Sequence, residues 1–376
     1  MISLFDPVQI GNISLANRIV MAPLTRNRAV EGLLPGPMSV EYYRQRATAG
    51  LIITEATQIS PMAQGYLDTP GIHTDEQVAA WRNVTAAVHA AGGRIVLQLW
   101  HVGRISHSSL LPGGAAPVSS TNRRPNTKVF SKSGFVDVST PRALADEELP
   151  DLINDYRHAA RNSIAAGFDG VEVHAANNYL LEQFLRDSVN DRSAPYGGDI
   201  ANRARLLIEI MQAICAEIGA GRTGIRLSPM TTFNDTPRDN NPQALYNHVV
   251  EQLAPLGLAY IHVIEGETGG ARQPEDAVTA FDYEALRSRF PGAWMVNNGY
   301  SKISGMEAVA TGKADLVAYG RLFISNPDLV HRLREDATLT PLQADKLYGG
   351  GAQGYIDYPV MTHSGNGEWP LICEVS

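Results

Sequence analysis

The chain has 376 residues, 44% hydrophobic and 19% charged, ordinary for a globular protein and enough apolar material for a large core. Its formal net charge of -8, with no basic run longer than Arg123-Arg124, makes nucleic acid an unexpected partner, though a small anionic cofactor in a local pocket stays compatible. Met1–Ile10 lacks the basic and apolar regions of a signal peptide, and no apolar run reaches the ~20 residues of a membrane span.

Along the chain, short β-branched runs predict strands near Ile19–Met21, Leu51–Glu55, Arg94–Leu99 and Gly170–His174, then Gly224–Leu227, Ala259–Ile264, Trp294–Val296 and Leu316–Ala318. Amphipathic stretches between them, such as Asp75–Ala91, Glu147–Ala166, Ala201–Ile218 and Pro242–Leu256, predict helices. Eight such units predict one (β/α)8 barrel over residues 1–360, the alternative being an open doubly wound sheet with fewer strands. A hairpin turning at Gly11-Asn12 is expected to plug the barrel bottom. The long Gly/Pro/Ser/Thr-rich stretch of about 103–146, with a hairpin at Lys128–Val138, reads as a lid over the barrel mouth. Residues 361–376 form a tail with no assigned role. The two cysteines, Cys215 and Cys373, make neither a metal site nor a disulfide framework and fit a reducing cytoplasm.

In such a barrel, active sites gather at the C-terminal ends of the strands. Those ends carry Pro23-Leu24-Thr25, Ala56, Gln98 with Trp100, His174 with Asn177, Arg226, Glu265, Asn298-Gly299 and Gly320-Arg321. This polar rim argues for a large polar ligand. Arg226 is either ion-paired with a barrel carboxylate or set against an electron-rich ring such as a reduced flavin, anionic at N1. Gly299 and Gly320-Arg321 follow the seventh and eighth strands, where barrels bind phosphate, although a strand-end glycine is also a common turn. The three-residue spacing of His174 and Asn177, read as one helical turn, would point both at one oxygen atom. A lone strand-end histidine is more commonly structural. Tyr179, off that row, could address another atom of the same ligand. Gly349–Gly354 matches G-x-G-x-x-G but lacks the flanking strand and helix, so it is not a dinucleotide fingerprint. No His-rich pattern supports a metal site.

The segments Met21–Arg28 (Met-Ala-Pro-Leu-Thr-Arg-Asn-Arg), Leu97–Arg104 (Leu-Gln-Leu-Trp-His-Val-Gly-Arg) and Gly167–Leu180 resemble the old yellow enzyme family, as do Tyr196–Arg203 and Tyr348–Pro359. The resemblance runs in order from residue 3 to about 360 and is nearest to the bacterial branch containing N-ethylmaleimide, glycerol trinitrate and morphinone reductases. It implies tightly bound FMN contacted by Pro23, Leu24, Thr25, Ala56, Gln98 and Arg226, with its phosphate at Asn298, Gly299, Gly320 and Arg321. It implies that His174 and Asn177 hold a substrate carbonyl oxygen, that Tyr179 protonates the α-carbon, and that Tyr66, Trp100 and Tyr348 line the pocket. The implied reaction is ping-pong reduction of activated alkenes by NADPH or NADH: unsaturated carbonyls, maleimides, nitroalkenes or nitrate esters. No membrane or obligatory protein partner is implied. Thr25 replaces the cysteine of the thermophilic-like branch, and Asn177 replaces the second histidine of some relatives. Two rivals are a proton-abstracting flavin barrel enzyme, such as a hydroxy-acid oxidase, and a non-catalytic flavin sensor.

Overall fold

Eight runs of apolar residues become the parallel strands of a closed barrel in the computed structural model, which describes residues 2–272 and 280–361. They are β1 (Ile19–Met21), β2 (Leu51–Gln58), β3 (Ile95–Trp100), β4 (Gly170–Ala175), β5 (Thr223–Leu227), β6 (Tyr260–Ile264), β7 (Ala293–Asn297) and β8 (Leu316–Tyr319). Their neighbours follow chain order, and β8 pairs with β1 to close the ring. The open-sheet alternative is therefore excluded. The surrounding helices are α1 (Pro37–Arg44), α2 (Asp75–Ala90), α3 (Leu149–Ala165), α4 (Ile200–Ile218), α5 (Pro242–Leu253), α6 (Tyr283–Arg287), α7 (Lys302–Ala310) and α8 (Leu329–Arg334). Thr74 starts α2 with a reciprocal capping box to Gln77, and Asp199 and Asn241 cap α4 and α5.

The predicted strands all occur; β2 runs further than the sequence suggests, to Gln58. A register shift between Ile53 and Ala56 marks a bulge in β2, next to the strand end that carries Ala56. The hairpin Val8–Ile10/Ile13–Leu15 does plug the barrel. Ile10, Ile13 and Leu15 share one buried cluster with the inward residues Val20, Ile53, Val96 and Met295. Gly11 takes φ 49° there and lies so close to Gly221 that a Cβ would come within 2.3 Å of its carbonyl oxygen.

The second hairpin, Lys128–Ser131/Gly134–Asp137, also forms. Val129 and Val138 pack in a buried cluster with Ala56, Trp100 and Tyr179, and the Leu67 N–H donates to the Phe130 carbonyl (3.0 Å). It thus braces the C-terminal side of the barrel. The tail lies outside the described residues apart from Met361.

Candidate active site

Parallel register brings the polar strand-end residues together. Ala56 pairs with Gln98, Glu172 with Gln98, His174 with Arg226, and Arg226 with His262. Closure of the ring thereby assembles, from five strands, groups that are far apart in sequence.

An aromatic cluster forms one wall. The His174 and Tyr179 rings meet edge to face at 5.1 Å, Trp100 meets Tyr179 at 5.1 Å, and Tyr66 stacks on Trp100 at 5.7 Å. The Tyr66 and Tyr179 hydroxyls are hydrogen-bonded at 3.2 Å. His174 Nδ1 accepts the Ala176 N–H (3.3 Å), which leaves the ring proton on Nε2. Burial, reinforced by the Arg226 charge, holds this imidazole well below its ordinary pKa, so it is neutral at pH 7. Burial also pushes the Tyr179 phenol well above its usual value.

The route by which Asn177 reaches the site corrects the helical-turn expectation. Asn177 (φ 56°) and Asn178 (φ 60°) are left-handed, and the short helix Leu180–Leu185 begins only after them. The Asn177 N–H donates to Ser228 Oγ (2.8 Å), and its Oδ1 accepts the Thr268 hydroxyl (2.7 Å). With the amide oxygen engaged, its Nδ2 hydrogens are left for a ligand.

Arg226 is 6% exposed, and burial pulls its guanidinium down to about 10, still charged at neutral pH. Its Nη2 donates to Asn297 Oδ1 (2.8 Å), while Nε is buried with no hydrogen-bond partner among the described residues. The ion-pair alternative is not what forms. Glu172, the carboxylate whose charge acts on it, instead accepts from Gln98 Nε2 (2.8 Å) and pairs with His262 Nδ1 (2.9 Å). A buried cationic donor paired in register with His174, on a barrel that also carries Gln98, suits an electron-rich ring with several acceptors, and so the residues present fit a flavin. Pro23, Leu24 and Thr25 follow β1, all half-buried.

At the ends of β7 and β8, Gly299 (φ 67°) faces open space, and a Cβ there would meet nothing within 4 Å. Gly320 precedes the short helix Arg321–Ser325, and among the described residues a Cβ there would meet only Leu24, at 3.4 Å. Two expected phosphate contacts are otherwise engaged through their side chains. Asn298 Nδ2 donates to the carbonyls of Glu265 (2.7 Å) and Glu267 (2.8 Å), and Arg321 Nη2 donates to Gly269 O (3.1 Å). Their backbone groups and Gly299 remain suited to a phosphate. Tyr348 is 67% exposed, at the rim and not in the wall. The glycine segment after it cages two arginines: Arg26 donates to Leu347 O and Gly354 O, and Arg28 to Gly351 O.

Sequence reading missed Glu172, His262, Asn234 and Thr268. The signal for the first was present, since Glu172 and His174 alternate on one face of an otherwise apolar strand. Asn234 and Thr268 sit on loops, where no periodicity marks them. Asn234 Nδ2 donates to the Asn177 carbonyl (3.1 Å), and its side chain also hydrogen-bonds Tyr179.

Fold and site together define a barrel oxidoreductase whose strand ends suit a flavin. Residues 3–339 match the NADH:flavin oxidoreductase / NADH oxidase family. The chain is 46% identical to 12-oxophytodienoate reductase 1 of Oryza sativa subsp. japonica, over 96% of this chain and 93% of that protein. It is 43% identical to 12-oxophytodienoate reductase 2 of Arabidopsis thaliana, covering 96% of each. Among solved structures it resembles morphinone reductase in complex with tetrahydroNAD, with TM-score 0.91 and 43% identity over 98% of this chain and all of that one. It also resembles the old yellow enzyme homologue of Zymomonas mobilis, with TM-score 0.91 and 40% identity over 96% of this chain and all of that one. The chain belongs to the old yellow enzyme family and is an FMN oxidoreductase. No helix among the described residues is long and apolar enough to cross a membrane.

Proposed function

We propose that this protein is an NAD(P)H-dependent reductase of activated alkenes, acting on unsaturated carbonyls, maleimides and nitroalkenes, with nitrate esters as a further class. Pro23, Leu24, Thr25, Ala56, Gln98 and Arg226 would hold the FMN ring, with its phosphate at Gly299, Gly320 and the backbone of Asn298 and Arg321. Bound there, FMN supplies two-electron hydride transfer from a reduced nicotinamide to an alkene. Nicotinamide and alkene use one pocket in turn, which gives ping-pong kinetics.

The observation that carries this reading is a pair of neutral donors beside a protonated phenol. His174 Nε2–H and the Asn177 amide hydrogens bind a substrate oxygen without neutralising it beforehand. They stabilise the negative charge that grows on that oxygen as a hydride reaches the β-carbon. Tyr179 then protonates the α-carbon. Tyr66 and Trp100 form the pocket wall, Tyr348 its rim, and the 128–137 hairpin, packed on Trp100 and Tyr179, serves as lid.

Purified protein should be yellow, release FMN on denaturation, and oxidise NADPH when cyclohexenone is supplied. Release of FAD would refute the cofactor assignment. Flavin reduction without any reoxidation by enones, maleimides or nitroalkenes would refute the reaction.

A further inference from the structure

We propose that Tyr66 is a relay residue, acting through Tyr179: it returns to Tyr179, from solvent, the proton spent on each substrate. This deepens the reading of Tyr179 as proton donor and rests on it.

Each turnover strips Tyr179 of its proton. Hydride addition to the β-carbon of an enone leaves an enolate. The Tyr179 O–H bond then breaks as a C–H bond forms at the α-carbon, and the charge stays behind as a phenolate. NAD(P)H is the electron source, and each cycle also consumes one solvent proton.

Tyr179 itself has little contact with water. It is 7% exposed and closed in by the rings of Trp100 and His174. His174 is neutral and its remaining N–H is committed to substrate, so it has no spare proton to lend. Asn234 bonds the phenol, but an amide is neither acidic nor basic enough to relay a proton at neutral pH. Tyr66 is different: its hydroxyl is 3.2 Å from that of Tyr179, and the residue is half-buried, within electrostatic reach of the exposed Tyr348. When Tyr66 O–H donates to the Tyr179 phenolate, the negative charge moves to a half-buried side chain, which water reprotonates. Burial raises both phenols, Tyr66 to about 12 and Tyr179 well above its ordinary value, so both are protonated at rest. Stacking of Tyr66 on Trp100 (5.7 Å, 11° between planes) holds the hydroxyl in place.

The test compares Tyr66→Phe and Tyr179→Phe holoenzymes, each checked for full FMN content, on cyclohexenone and on a nitroalkene, whose nitronate is protonated in water. In Tyr66→Phe the first turnover, which uses the proton already on Tyr179, should outrun later ones. Steady-state turnover of cyclohexenone should fall roughly tenfold or more, on the scale of a lost proton-transfer group. Added imidazole should restore it, and nitroalkene turnover should fall less. Tyr66→His, which can itself pass a proton, should turn over without help from imidazole. In holoenzyme carrying [ζ-13C]tyrosine, the Tyr179 resonance, identified by its loss in Tyr179→Phe, should shift in Tyr66→Phe. Equal losses on both substrates with no rescue by imidazole, or an unmoved resonance, would overturn the relay alone. If Tyr179→Phe slows enone and nitroalkene alike, the donor reading falls and the relay with it.

Discussion

Asn177 depends on a backbone conformation that few residues accept. At φ 56° a β-branched or bulky side chain is strained, whereas asparagine tolerates the left-handed region. Thr268 then decides which end of the amide is offered, by taking Oδ1. His174 offers its donor for a parallel reason, with Nδ1 occupied by the Ala176 N–H. Two donors on one oxygen should each matter. His174→Ala and Asn177→Ala should lower kcat/KM for cyclohexenone by ~10²-fold, since one lost oxyanion donor costs about 3 kcal/mol in the transition state. FMN should stay bound in both, because neither residue is among its proposed contacts. Wild-type turnover in either variant would reassign that residue to a structural role.

The loop after β4 is held by a buried network centred on Glu182. Its carboxylate accepts the Asn178 N–H (2.6 Å), Arg186 Nη2 (2.8 Å), the Tyr246 hydroxyl (2.5 Å) and the Ser228 hydroxyl (2.9 Å). The side chains of Glu182 and Arg186 are 0% exposed, so neither charge is served by water. Removing one partner leaves the other stranded, typically a loss of about 3–5 kcal/mol, whereas removing both is far milder. Glu182→Gln should therefore lower the thermal midpoint and raise KM for cyclohexenone, because the Asn177–Asn178 turn loses its anchor. The double variant Glu182→Gln/Arg186→Met should regain part of the stability but not the KM. A midpoint unchanged in the single variant would show that the network is not what fixes the loop.

Across the whole molecule, several imidazoles are buried in a neutral state, and this sets an acid limit. Burial drives His101 down to about 3, and His174 and His262 are also lowered, chiefly by burial. Each such histidine stays unprotonated when folded but takes a proton near pH 6.5 once unfolded. Stability is therefore full above pH 6.5 and is lost as pH falls toward the folded value. For His101 alone the loss at pH 5 is ~2 kcal/mol. Glu55 opposes this: burial raises it to about 7, so its contribution is full below pH 4.5 and declines as pH rises through 7. Asp68 and Asp155 are raised by burial in the same sense as Glu55, and His73 is lowered with the other imidazoles, but the wide separation of His101 from the ordinary imidazole range should let the histidines prevail. Thermal midpoints at one scan rate should fall between pH 6.5 and 5, and fall less in His101→Gln. A midpoint flat or rising over that range would mean that the carboxyl outweighs them.

Sequence alone determined the eight strands, because strands buried on both faces read as continuous apolar runs, and it located the polar rim, because polar residues at strand ends stand out against them. The plugging hairpin was legible from its Gly11-Asn12 turn, and the family from motifs spread along the chain. Tertiary structure decided how the rim residues are used. The register that sets His174 beside Arg226 exists only once the barrel closes. Glu172 meets His262, Tyr66 meets Tyr179, and Asn177 meets Thr268 across 90, 113 and 91 positions of chain. The helical spacing inferred for His174 and Asn177 failed because Ser228, from a distant segment, and the side chain of Glu182, four residues on, accept the backbone N–H groups of Asn177 and Asn178. Local patterning records burial and periodicity, whereas the direction of a proton or the choice of an amide's free end is set by partners that only the folded chain brings within hydrogen-bonding distance.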